Sequence, residues 1–143
     1  MQATELPLRT IENGRLVFNL PIPPTLNDQI RAARTHWRKS NQIKEQQTAL
    51  YARFVRDAGK FPGKVWIDFE WFVHNHGSDP DNIAASAKYI MDGFVKGGVL
   101  TKDSLMVIQS PVVNRFRRAA SKPEEIVIVT ISDHPIWRLE PVD

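Results

Sequence analysis

No cysteine occurs among the 143 residues, which excludes disulfide bonds and thiolate-held zinc and fits a reducing compartment. Long apolar runs are missing too. The run from Ile126 to Ile131 is far shorter than the roughly 20 residues that cross a bilayer as a helix. The opening residues, Met-Gln-Ala-Thr-Glu-Leu-Pro, lack the basic and then apolar regions of a secretory leader. A cytoplasmic protein with no membrane partner is therefore expected. No internal repeat and no low-complexity segment is evident. Apolar residues make up 42% and charged residues 24%, which argues against a disordered or fibrous chain and leaves room for one domain with a genuine core.

The formal net charge is only +3, but it is unevenly spread. Arg31, Arg34, Arg38, Lys39, Lys44, Arg53, Arg56, Lys60 and Lys64 are opposed in their own stretch only by Glu45 and Asp57. Arg115, Arg117 and Arg118 form a second basic cluster. Local excess of this kind suits a phosphate backbone, because neutralised phosphates release condensed counterions. A solvated helix face accounts for the charge equally well.

Residues 1–14 read as an N-terminal arm, 15–132 as the main domain and 133–143 as a surface tail carrying Trp137. Arg15 to Pro21 reads as a strand stopped by Pro21, Pro23 and Pro24. Leu26 to Lys39 is mixed and basic, a loop with helical turns at most. Ser40 suits an N-cap, after which Ile43, Leu50, Tyr51, Phe54 and Val55 recur at helical spacing as far as Gly59. Lys64 to Val73 alternates and is rich in β-branched and aromatic residues, so a strand is predicted there. A helix is predicted from Asp81 to Lys96, closed by Gly97-Gly98. Leu105 to Val113 and Glu124 to Ser132 read as strands, with Arg115 to Lys122 as their hairpin connection. The class is α+β: a mixed, mainly antiparallel sheet of four to five strands with two main helices, in a single domain.

The informative stretch is Asp79-Pro80-Asp81-Asn82. In an extended segment residues two apart project to one side, so Asp79 and Asp81 can aim their carboxylates at one volume. Mutual repulsion makes a hard divalent cation, Mg²⁺ or Mn²⁺, the natural occupant. On a continuous helix Lys88 and Asp92 share a stripe with Asp81, while Ile83, Ala87, Ile90, Met91 and Phe94 face the core. Each feature also has a plain structural account: aspartates cap helices, and Lys88 and Asp92 form an i,i+4 pair. Asp103, in Leu100-Thr101-Lys102-Asp103, is the candidate third carboxylate, since its loop can return to the sheet.

Taken in order, Pro23-Pro24-Thr25-Leu26-Asn27, then Asp79-Pro80-Asp81-Asn82, then Lys88 with Asp92, then Leu100-Thr101-Lys102-Asp103 resembles the RusA family of Holliday junction resolvases. The similarity spans Leu16 to Ser132. It implies a Mg²⁺-dependent homodimeric endonuclease that nicks two opposed strands of a four-way DNA junction. The family's essential aspartates match Asp79, Asp81 and Asp103, and its lysine is matched by Lys88. Two departures stand out: the family lysine's usual place is Ala85, three residues earlier, and Lys102 replaces the first of a pair of acids.

On this reading Arg31, Arg34, Arg38 and Lys39 are the first choice for the DNA-backbone surface, and Arg115, Arg117 and Arg118 the second. His36 and Trp37 lie inside the first cluster, where Trp37 can stack on an unpaired base or pack in the core. His74 and His76 precede the acidic pair and can touch DNA or metal. Asn82 can orient a carboxylate or cap its helix. A junction-binding accessory protein with a degenerate site is the main rival. A small-ester phosphohydrolase is disfavoured, because no threonine follows the aspartate pair and the chain is heavily basic.

Overall fold

The computed structural model describes residues 14–35 and 37–136. Residues 1–13 of the arm, His36 and Trp137 lie outside the described residues. The main chain runs β1 (Arg15–Leu20), α1 (Leu26–Thr35), α2 (Trp37–Val55), β2 (Trp66–Val73), α3 (Pro80–Ala84), α4 (Ala87–Lys96), β3 (Val113–Arg118), a short 3₁₀ turn (Lys122–Glu124) and β4 (Ile126–Ser132).

The four strands form one mixed sheet in the order β1-β4-β2-β3. β4 pairs antiparallel with β1 and β2, whereas β2 and β3 run parallel. The predicted α+β class, with a mainly antiparallel mixed sheet, is what the chain adopts. Period-two alternation places Ile67, Phe69, Trp71, Val127, Val129 and Ile131 in one buried layer. Ile67 faces Ile131, Phe69 faces Val129 and Trp71 faces Val127 across β2 and β4.

Against this layer lie α2, through Tyr51 and Val55, and α4, through Ile90, Met91 and Phe94. The two helices approach closely because α4 carries glycine at 93 and is capped by Gly97. A Cβ on Gly97 would meet Val55 Cγ2 at 2.7 Å and Ala52 O at 2.8 Å. Gly93, inside the helix, costs about 1 kcal/mol of helix propensity, which the packing must offset. Tyr51 also ties α2 to the proline segment by donating its hydroxyl hydrogen to Pro21 O at 2.5 Å.

Several expectations are corrected. Leu26 to Thr35 is a helix, and α2 begins at Trp37, so Ser40 lies inside it rather than capping it. Thr25 starts α1: its Oγ1 accepts from Asp28 N at 3.3 Å while Asp28 Oδ2 accepts from Thr25 N at 3.0 Å. That reciprocal pair is a capping box. The helix predicted across residues 81–96 breaks after Ala84, where the buried Ser86 hydroxyl donates to Ile83 O at 2.6 Å. Serine bonding back to a preceding carbonyl competes with regular helix, and the following bonds shorten to i,i+3.

The strand expected over Leu105 to Val113 does not form before Val113, the first residue of β3. Leu105 and Met106 are 88% and 72% exposed, and only Val65 and Ile108 make an isolated parallel bridge. Arg115 to Arg118 is not a hairpin connection but part of β3, which pairs with β2 instead of β4.

Candidate functional site

The crossover from β2 to its parallel neighbour β3 carries Asp79, Asp81, Lys88 and Asp103. Parallel neighbours need such a long connection. At its start, Asp79 is extended (φ −75°, ψ 125°) ahead of Pro80, as the proline requires. Its Oδ1 accepts from Asp81 N at 3.0 Å, so Asp79 is the N-cap of α3. Asp81 stands in the first helical turn. The pair is therefore joined by the cap rather than by an extended strand, and only Asp79 has strand-like backbone.

Asn82 neither caps α3 nor orients a carboxylate through its oxygen. Oδ1 accepts from Asn27 N at 2.7 Å, in the first turn of α1. Fifty-five residues separate these two partners, so the proline segment and the acidic segment meet directly. Asp28, next along α1, acts electrostatically on the buried Tyr89: burial first, and then the Asp28 charge, push the Tyr89 hydroxyl above its ordinary pKa. A cleft of about 530 Å³ beside this junction is lined by Pro23, Asp28, Tyr51, Asn75, Ser78 and Ile83, among others.

Farther along, Lys88 Nζ lies 3.6 Å from Asp92 Oδ1, the i,i+4 pair anticipated from spacing. The return loop brings Asp103 to the same place. Lys88 and Asp103 line one cleft of about 370 Å³, floored by Ile67, Phe69 and Met91, with Asn114 on its wall. Partial burial, and then the charge of Asp92, push the Asp103 carboxyl above the usual carboxylate value, while Lys88 pulls it down. Lys88 thus pairs with Asp92 on its own helix and acts electrostatically on Asp103 from another segment.

Asp79 and Asp81 do not join Asp103 in one ligand set. Among the described residues no three His, Asp or Glu side chains are grouped to hold a metal. A cation enclosed by protein ligands alone does not fit. A hydrated Mg²⁺ fits the donor chemistry better, since it keeps several waters and takes one or two carboxylates, with phosphate oxygens completing its shell. Asp79 and Asp81, two residues apart at the start of α3, carry two such carboxylates.

The two basic clusters differ. Arg31, Arg34, Arg38 and Lys39 are all exposed on α1 and α2, with Arg31 NH1 3.8 Å from Asp28 Oδ1. Trp37 is 64% exposed, not core, and the Arg38 guanidinium lies 5.5 Å from its ring centroid. In the second cluster Arg115 bonds the buried Asp68, and Arg117 Nε bonds Glu70 Oε2 at 3.0 Å. Those two arginines knit β3 to β2, leaving Arg118 as the cluster's exposed member. His76 Nε2 lies 3.1 Å from Arg117 O, and His74 donates only its backbone N–H, to Glu125 Oε2.

Sequence reasoning passed over two residues of the site. Asp28 was signalled by the Thr25-x-x-Asp28 capping spacing, and Asn114 has no local signal at all. No helix among the described residues is long and apolar enough to cross a membrane. The chain matches no protein-family model and no curated protein.

Proposed function

We propose that the protein is a Mg²⁺-dependent, structure-specific DNA endonuclease of the RusA kind, resolving Holliday junctions by paired symmetric nicks during recombination or repair in the cytoplasm. The observation that carries the reading is the meeting of Lys88 and Asp103 in one cleft. Two elements of the family pattern, distant in sequence, lie side by side there although the lysine is displaced by three residues.

In this reading Asp79 and Asp81 would hold a hydrated Mg²⁺, which Mn²⁺ can replace, and Asp103, the third acid of the family pattern, would act from the neighbouring cleft that it shares with Lys88. When bound, the ion supplies an acidified water and charge neutralisation at the scissile phosphate. Lys88 directs its ammonium to that phosphate and stabilises the charge that develops on it. Asn82 fixes the start of α3 to α1 and so holds the acidic segment in place. The exposed Arg31, Arg34, Arg38 and Lys39 bind backbone phosphates, Arg118 extends that surface, and Trp37 stacks on a base unpaired at the junction centre. Two opposed strands must be cut, so one catalytic centre per chain requires a two-fold homodimer.

A labelled four-way junction and a matched linear duplex, each incubated with and without Mg²⁺, test the proposal. Paired nicks in the junction alone, lost in Asp81→Asn, are expected. Sedimentation should give a dimer, and a strict monomer both free and on the junction would refute the paired-nick scheme. The absence of a three-carboxylate group among the described residues favours one other reading, a junction-binding accessory protein. Tight junction binding with no Mg²⁺-dependent cleavage by the wild-type chain would establish that reading instead.

A further inference from the structure

We infer that Asn114 contacts the DNA, donating its side-chain NH₂ to a backbone phosphate oxygen in the cleft it shares with Lys88 and Asp103. The argument rests on the proposed nucleic-acid role of that cleft and begins with Trp71. Its ring is fully buried on β2 and stacks on Phe69, with centroids 5.6 Å apart and planes 15° from parallel. A buried indole N–H must be satisfied, and it can only donate. Trp71 Nε1 donates to Asn114 Oδ1 at 2.9 Å.

That bond settles which end of the amide is which, because a donor on one side leaves no choice but oxygen there. The opposite end of Asn114 is therefore a pair of N–H donors. β3 places the residue level with Phe69, and its side chain lines the wall of the Lys88–Asp103 cleft. A rigid aromatic pair thus holds a neutral, two-hydrogen donor in the cleft that Lys88 also lines. Two donors on one cleft suit an acceptor carrying several oxygens, and a phosphate in a DNA backbone is such a group. Neither composition nor spacing could indicate this, since the orienting partner lies on another strand.

The experiment compares the wild-type chain, Asn114→Asp and Asn114→Ser for thermal stability and for junction affinity by fluorescence anisotropy without Mg²⁺. Several junction sequences and a series of salt concentrations are used. Both replacements keep an oxygen for Trp71, and Asp also keeps its position, so Asn114→Asp should melt within a degree or two of wild type. Affinity should fall several-fold in both variants and equally for all sequences. For Asn114→Ser the slope of log affinity against log salt should be unchanged, because a neutral donor releases no counterion. Lys88→Ala, in contrast, should flatten that slope by about 0.9.

Wild-type affinity in the two Asn114 variants would overturn the inference and leave Asn114 as a mere partner for Trp71. A loss confined to particular junction sequences would also overturn it, by indicating contact with a base edge. Because binding is read without Mg²⁺, the inference survives if the wild-type chain binds junctions and does not cut them. A wild-type chain with no affinity for DNA would refute the proposed function and this contact together.

Discussion

A methyl group added at Gly93 would fall well inside contact distance of Tyr51 Cβ and 3.0 Å from both the Ala52 nitrogen and the Tyr51 carbonyl carbon. Two of these three neighbours are backbone atoms of α2, which cannot rotate aside, and the third is fixed to that backbone. Alanine gains about 0.8–1 kcal/mol over glycine in a helix interior. Overpacking a filled core costs typically 1–3 kcal/mol, and the fixed neighbours place this site at the upper end. Gly93→Ala should therefore lose about 1–2 kcal/mol net. For a chain of this size that lowers Tm by roughly 3–6 °C. Urea and thermal unfolding, followed by circular dichroism and tryptophan fluorescence, measure it. Gly63→Ala is the control, since no atom lies within 4 Å of its added Cβ, and it should leave Tm unchanged. Because α4 carries Lys88 and Asp92, relief of the clash by a shift of α4 should also impair nicking. A Gly93→Ala protein as stable as wild type, or more so, would refute the close α2–α4 approach.

Other substitutions separate structural from functional roles. Arg115→Ala removes an ion pair to Asp68, only 2% exposed, and should cost about 3–5 kcal/mol in denaturant; Arg118→Ala, at an exposed position, should change stability by less than about 0.5 kcal/mol. Asp79→Ala should lose about 1 kcal/mol with the α3 cap, whereas Asp79→Asn, which can still cap, should keep stability and lose nicking. The Asp103 carboxyl has a folded-state pKa above its ordinary 3.8, so protonation favours the folded state: its contribution is present below that value and is lost as pH rises through the folded pKa. In chelator, Asp103→Asn should consequently be more stable than wild type near neutral pH and lose that advantage in acid; identical pH–stability curves would contradict the electrostatics of the cleft. Neutralising Arg34, Arg38 and Lys39 together should weaken binding to every DNA sequence and flatten the salt slope by about 0.9 per lost phosphate contact, measured by the same anisotropy titration.

Where neighbouring residues decide the conformation, the sequence by itself determined the outcome. Strand β2 follows from alternation and β-branched and aromatic content, and β4 from a short apolar run of β-branched residues, both local properties of the chain. The cap at Asp79-Pro80 is equally local, and Ile83, Ile90, Met91 and Phe94 occupy the core positions that helical spacing assigned to them. α1 had a legible signal in its capping box but too few large apolar residues to announce a periodic face.

Tertiary structure alone decided the rest. The arginines of β3 resemble a solvated loop until Asp68 and Glu70 on the neighbouring strand neutralise two of them. Leu105 to Val112 has strand-like composition but pairs with the sheet only as an isolated bridge from Ile108 to Val65, because β3 begins at Val113. The helix break at Ser86 depends on a buried hydroxyl turning inward. In the site, spacing along one helix foretold the Lys88–Asp92 pair, but not the arrival of Asp103 beside it or the orientation of Asn114 by Trp71. Those contacts join residues far apart in the chain, and their geometry is fixed by how the crossover packs on the sheet rather than by any residue's neighbours in sequence.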